Sequence, residues 1–327
     1  MPPATSGSGR PTQTYRERPP APALAPYLAC TWIHRIGADG PAYEHRRVPD
    51  GCVDIRWTAG QSLIEVVGPQ RGPVTFLLPP RTTVAGIRLR PGAAPAALGV
   101  PASALVDRRV PLDAVWDDAP AASAGRIAQA GSPREAVTLL EEAVATRTAG
   151  RRGLDPVGAA VLDLLRRHPS LPAGKLTAEL YVSSRQLRRH CVAAFGYGPK
   201  SLQRLLRFQT FLVLGTRRGG TIEGLAEIAR VAGYADQPHL TRECVALTGV
   251  TPRRFLAETA KSCGRNHDHA APPALVGDAG AGGAAGADDV RAGRAQRVLD
   301  GGVARVVVGG RVSRPWRPAT RAGRSAG

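Results

Sequence analysis

Acidic residues are in short supply: 26 Asp and Glu stand against 44 Lys and Arg in 327 residues, leaving a net charge of +18. A chain so charged is drawn to polyanions by Coulomb attraction and by release of their condensed counterions. Long apolar runs are absent too. None approaches the roughly 20 residues that span a bilayer, and residues 1–20 lack the apolar core of a secretory signal, so no membrane partner and a cytoplasmic location are expected. The five cysteines, Cys30, Cys52, Cys191, Cys244 and Cys263, contain no CxxC pair. That spacing argues against both a disulfide framework and a zinc knuckle, and predicts buried, reduced thiols. Lys, Asn and Ile are scarce while Ala, Gly, Pro and Arg dominate, a bias that fits GC-rich coding and says nothing of fold.

What is present divides the chain. A single core rarely grows past roughly 250 residues, so two domains are expected. Residues 1–20, rich in Pro, Ser, Gly and Thr, read as a disordered leader. Residues 21–148 form the first domain: short apolar stretches Cys52–Trp57, Ser62–Val67, Val74–Leu78 and Thr83–Leu89, punctuated by Pro and Gly, predict an antiparallel sandwich or barrel. From about Leu112 to Arg147, Ala136, Leu139, Leu140, Ala143 and Val144 recur at steps of three and four, which predicts a helical connector. Thr146–Gly153 lacks apolar periodicity and reads as a linker. Residues 261–327 are low in complexity and expected to be mostly disordered, with Val303–Val308 able to form a short strand. Within them His267 and His269 flank Asp268 but have no third metal ligand nearby. Charge alone locates no site, because residues 153–261 carry +8 and the tail still carries +5.

Residues 154–260 repeat one pattern twice. Lys175–Leu180 predicts a short helix with Leu176 and Leu180 inward and the small Ala178 at the approach to a partner helix. Tyr181 and Val182 turn the chain and plug the core, and Ser183 stands where an N-cap belongs. Ser184–Phe195 then buries Leu187, Cys191, Ala194 and Phe195 and leaves Arg185, Gln186, Arg188 and Arg189 outside. In the second copy Ile222–Val231 is the short helix, Gly233 and Tyr234 the turn, and Asp236 the cap. Gln237–Leu247 buries Leu240, Cys244 and Leu247 and exposes Gln237, Thr241 and Arg242. Both units end in Gly followed by Pro, at Gly196 and Pro199 and at Gly249 and Pro252, which suits a left-handed cap and a new helix start. Pro199–Gly215 predicts a buried spacer helix between them. A short helix, a turn and a second helix with Arg, Gln and Thr outward is the layout of a helix-turn-helix, in which arginine can pair with guanine and glutamine with adenine.

The run IARVAGYADQPHLTRECVALTGVTPRRF from Ile228 to Phe255, with VSSRQLRRHCVAAFGYGPKSLQRLLRFQ before it, resembles the AraC/XylS family of bacterial transcription regulators. That resemblance implies a tandem helix-turn-helix DNA-binding domain over residues 154–260. It also implies base-contacting positions at Arg185, Arg188 and Arg189 in the first unit and at Gln237, Pro238, Thr241 and Arg242 in the second. Cys244 departs from the family's usual phenylalanine, and Cys191 holds the matching place in the first unit. YRERPP, VPDGCVDIRW, VVGPQ and RPGAAPAALGVPASALVDRRVPL are similar to sensor-type domains found ahead of some AraC-like modules. The expected fold class is therefore α+β multidomain, a mainly β amino-terminal domain (cupin-like barrel or sandwich) before an all-α DNA-binding domain, with a disordered tail. The partners implied are double-stranded DNA, a small-molecule effector or a second copy of the chain, and RNA polymerase if the regulator activates.

The rival reading is a metal-dependent, cupin-like enzyme tethered to DNA. It would draw on His34, His45, Asp50, Cys52 and Asp54, yet the histidines form no HxH pair, and Asp50-Gly51 is explained by turn chemistry. No catalytic or metal-binding residue and no cofactor is therefore expected.

Overall fold

Alternation of apolar and polar residues, broken by Pro and Gly, builds the first half of the chain as strands. The computed structural model describes residues 13–116, 121–150, 154–217, 224–262 and 267–269. The strands are β1 (Gln13–Arg18), β2 (Leu28–Ile36), β3 (Tyr43–Arg47), β4 (Val53–Thr58), β5 (Glu65–Val67), β6 (Val74–Leu78) and β7 (Thr83–Leu89). Helix α1 (Ala94–Leu98) and strand β8 (Arg109–Pro111) follow, then α2 (Ala121–Ala128) and α3 (Pro133–Thr148). Seven strands form one sheet in the order β8-β5-β4-β7-β2-β1-β9, where β9 is His267–His269, and β3 pairs with β6 in a separate two-stranded sheet. The domain is thus mainly β, as expected, in two sheets, and among the described residues the larger one runs from β8 to β9 without closing into a ring.

Residues alternate between the faces of that sheet. Leu28, Val53, Ile55, Trp57, Ala85, Ile87 and Leu89 face the helices and form one core with Ala136, Leu140 and Val144 of α3. The connector helix therefore covers the sheet with the stripe its spacing predicts. The opposite face carries Tyr15, Cys30, Trp32 and Val84 beside buried charged groups, Glu17, Arg47 and Asp54.

One expectation about the ends is corrected. The segment expected as a leader holds β1, which runs antiparallel to β2 with Tyr15 opposite His34 and with Tyr15 and Glu17 buried. At the other end residues 267–269 form β9, parallel to β1 with His267 opposite Tyr15, and residues 263–266 and 270–327 lie outside the described residues. In both places the strand is stabilised by a distant partner that local composition does not reveal. Helix α3 also runs to Thr148, so the linker is shorter than Thr146–Gly153. Val303–Val308 and Cys263 lie outside the described residues.

The second half is helical: α4 (Pro156–Arg167), α5 (Ala173–Glu179), α6 (Ser184–Phe195), α7 (Pro199–Arg217), α8 (Leu225–Val231), α9 (Gln237–Thr248) and α10 (Pro252–Ser262). Two cores form around it. One gathers Val161, Leu165, Leu176, Leu187, Cys191, Phe195 and Leu206; the other gathers Phe208, Phe211, Leu225, Ile228, Leu240, Cys244 and Leu256. Helix α7 belongs to both, its first half to one head and its second half to the other. Among the described residues no helix is long and apolar enough to cross a membrane.

Candidate nucleic-acid interface

Each head is a seven-residue helix, a turn and a twelve-residue helix: α5 and α6 in the first, α8 and α9 in the second. The caps anticipated from the sequence form in both. Ser183 Oγ accepts from Gln186 N at 3.2 Å while Gln186 Oε1 accepts from Ser183 N at 2.9 Å, a reciprocal capping box. Asp236 Oδ1 accepts from His239 N at 2.6 Å. The other ends close on Gly196 at φ 79° and Gly249 at φ 78°, left-handed conformations that glycine adopts without strain. Asp236→Ala is expected to cost about 1 kcal/mol in a denaturant titration, and Asp236→Ser far less, because a hydroxyl can still accept the amide of residue 239.

The spacing of the apolar residues decides which face each helix turns outward. In α6 Leu187, Cys191, Ala194 and Phe195 are buried, and Arg185, Arg188 and Arg189 are exposed. In α9 Leu240, Cys244 and Leu247 are buried; Gln237, Pro238 and Arg242 are exposed, and Thr241 is half-buried with its hydroxyl donating to Gln237 O at 3.0 Å. The seven residues expected to meet DNA thus occupy the outer faces of two like helices. Burial pushes the Cys191 thiol up to about 12 and the Cys244 thiol up to about 11, so both stay protonated core residues.

Two details differ from the sequence expectation. Ala178 is exposed and not set against a partner helix. Tyr181 does not plug the core: it has φ 51° and its side chain is 88% exposed, leaving Val182 to pack inward. Gln186 is exposed as expected, and its side chain also closes the cap. The positive φ at Tyr181 turns its ring to solvent beside the N-terminus of α6. Nothing in the sequence flags a bulky left-handed residue there, since such positions usually take Gly or Asn.

The second head is braced from behind. Arg207 of α7 lies over the Tyr234 ring, 5.7 Å from its centroid, and the ring meets His239 of α9 edge-on at 5.3 Å. Arg204 pairs with Glu243, tying α7 to α9. An open cleft of about 590 Å³ beside the first head is lined by Arg188, Lys200 and Arg204 together with Gln70, Arg71 and Ser103 of the β domain. Lys200 extends the positive surface past α6 onto the start of α7, the part of that helix expected to be exposed, while Arg204 beside it is paired with Glu243.

Residues 16–111 match the family described as a domain of unknown function (DUF6597), and residues 176–258 match a helix-turn-helix domain family. No curated protein matches. Solved structures of ToxT from Vibrio cholerae are among those to which the chain is similar. One at 1.65 Å resolution is 10% identical, spans 76% of this chain and 98% of that one, and has a TM-score of 0.37. Another, bound to (E)-4-(8-methylnaphthalen-1-yl)but-3-enoic acid, is 11% identical over 76% and 99%, with a TM-score of 0.38. The geometry of the two heads and the family match agree: residues 176–258 are an AraC-type helix-turn-helix domain, carried behind an amino-terminal DUF6597 domain in a DNA-binding transcription regulator.

Proposed function

We propose that α6 and α9 enter successive major-groove segments of one operator, with Arg185, Arg188, Arg189, Gln237, Pro238, Thr241 and Arg242 at the bases and phosphates. The observation that carries this is the repetition: two helices of equal length, each capped at its start and closed by a left-handed glycine, each with a polar outer face. Arginine's planar fork suits guanine, and glutamine suits adenine. Arg188→Ala or Arg242→Ala is expected to weaken specific binding by about 1–3 kcal/mol if each side chain holds a base through two bonds. Gel-shift titrations on the selected operator and on scrambled DNA test it; equal losses on both assign the side chain to phosphate and refute base reading.

The amino-terminal domain serves as the sensor and has no catalytic role in this reading. The residues a metal enzyme would need are held by structural bonds. His34 Nε2 lies 2.7 Å from Gln13 Oε1, and Asp50 Oδ1 accepts from Cys52 N at 2.9 Å across the turn. His45 is packed among the rings of His34, Tyr43 and Phe76, at 5.5, 6.2 and 6.4 Å between centroids. Among the described residues no three His, Cys, Asp or Glu are placed to hold a metal ion.

The sensor function has a candidate cleft of about 550 Å³, lined by Arg56, Glu65, Phe76, Leu78, Val84 and Arg109. Arg56 and Arg109 lie over the Phe76 ring at 5.4 and 5.2 Å and share the single carboxylate of Glu65 at 2.6 and 2.7 Å. Two cations on one anion leave the cleft positive, which favours an anionic effector with an apolar body. Organic acids of that kind are expected to raise the melting temperature of the whole protein, and Arg56→Ala to abolish the rise. The protein acts in the cytoplasm in this reading, with RNA polymerase as a further partner where it activates and a second copy of the chain where it dimerises.

A further inference from the structure

The β domain grips both heads. At the first, Tyr197, between α6 and α7, donates its buried hydroxyl to Gln70 O at 2.5 Å. Beside it glycine backbone abuts side chains of the other part: a Cβ at Gly196 would lie 2.5 Å from Val106 Cγ2, and one at Gly92 would lie 3.1 Å from the Phe195 ring. At the second, the end of β3 and the turn after it do the work. Arg46 Nη1 pairs with Glu258 Oε2 of α10 at 2.7 Å, Val48 packs against the core of that head, and Pro49 O accepts from Gln209 Nε2 of α7 at 2.9 Å.

Successive side chains of an extended chain point to opposite sides. Arg46 and Val48 face the head, while Arg47 between them faces the β domain's buried charges, 3.2 Å from Asp54 and 3.6 Å from Asp50. The contact with the second head is thus anchored in the most polar part of the β domain's interior.

The heads have separate cores and are joined by α7. Its nineteen residues span about 28 Å at about 1.5 Å per residue. Direct ties between the heads are few among the described residues: Ser170 Oγ donates to Gly233 O at 3.1 Å, and Arg204 pairs with Glu243. Helices of such length curve readily, and a small bend at the middle of α7 would swing one recognition helix against the other. The β domain holds the rod just before its start, at Tyr197, near its middle, at Gln209, and holds the far head at Glu258.

We propose that the amino-terminal domain is a brace that sets the spacing and rotation at which the two heads meet DNA, so that Gln70, Arg46 and Pro49 determine which operator spacing is accepted. This rests on the reading of both heads as DNA-contacting. Inserting one base pair between the two sub-sites moves the second by about 3.4 Å and turns it by about 34°, since a turn of the duplex holds about 10.5 base pairs. A braced pair of heads cannot follow that change, and an unbraced pair can.

The test uses the full chain and a variant that cuts the three polar ties, Arg46→Ala, Tyr197→Phe and Gln209→Ala, none of which touches the proposed base-reading residues. Gel shifts are read on the selected operator and on versions with one base pair inserted or removed between the sub-sites. The wild type is expected to weaken tenfold or more on either altered operator, as register-locked binding requires. The variant is expected to bind the parent operator within about threefold of wild type and to lose less than about threefold on the altered ones. Should the triple variant melt early, Tyr197→Phe, which keeps the ring, carries the same comparison. An unchanged spacing penalty in a folded variant overturns the brace. A wild type that binds its operator specifically yet ignores the insertion overturns the two-head reading itself.

Discussion

Asp54→Ala is expected to destabilise the protein by about 3–5 kcal/mol, because it strands buried positive charge. Asp54 is 3% exposed and stands between two guanidinium groups: Oδ2 lies 3.2 Å from Arg47 Nη1 and Oδ1 3.0 Å from Arg88 Nε, with a second Arg88 bond at 3.3 Å. Without it Arg47 keeps Asp50 at 3.6 Å and the Cys52 carbonyl at 3.3 Å, weak compensation for a side chain only 8% exposed. Burial by itself would raise the Asp54 carboxyl, but Arg47 and Arg88, with the Arg88 hydrogen bond, outweigh it and hold the group below the usual carboxylate range. The sign follows from linkage. A carboxyl with a lowered folded pKa adds stability that is complete above the unfolded value of about 3.9 and is lost as the pH falls through the folded one. Urea titrations should therefore show the gap between wild type and Asp54→Ala widest near neutral pH and shrinking in acid. A gap that is small at neutral pH, or that does not change with acid, would refute the assignment.

The DNA-binding half was legible where structure is local. Ser183, Asp236, Gly196 and Gly249 each act within a few residues of themselves, and the caps form where the sequence puts them. Val74–Leu78 and Thr83–Leu89 are strands with the anticipated ends, because β-branched runs bounded by Pro and Gly have few other options. Legibility fails where a distant partner decides. Strand β1 sits in a Pro-rich leader and is held by β2, and β9 is held by β1 from more than two hundred residues away. Tyr181 shows the same limit at short range: its spacing assigns it to the core, whereas a left-handed backbone sends it outward. The seven candidate base-reading residues follow from helical spacing and family resemblance, but the hold of the β domain on both heads does not. Gln70 and Pro49 contribute through main-chain carbonyls, which carry no signature in side-chain type.

Gly68→Ala is expected to be the most damaging glycine substitution in the segment that receives Tyr197, at about 3 kcal/mol or more, because the collision is with backbone. A Cβ there would stand 1.7 Å from Leu105 O and 2.5 Å from Leu105 C, and a carbonyl cannot rotate aside as a side chain can. The two stretches are sewn together around that point: Gly68 N donates to Arg108 O at 3.0 Å and Asp107 N to Pro69 O at 2.9 Å. Gln70 Nε2 adds a bond to Gly68 O at 2.9 Å. Separating them to admit a methyl group would move Gln70, which receives Tyr197, and Val106, which abuts Gly196. The loss should thus appear twice, as a lower melting temperature and as relaxed operator spacing. Gly72→Ala, four residues on, is the control, since a Cβ there meets nothing within 4 Å; it should shift stability by no more than about 0.5 kcal/mol. Equal behaviour of the two variants would mean that the approach of Gly68 to Leu105 is not needed for folding. A Gly68→Ala protein that melts early but keeps strict spacing would separate this contact from the grip on the first head.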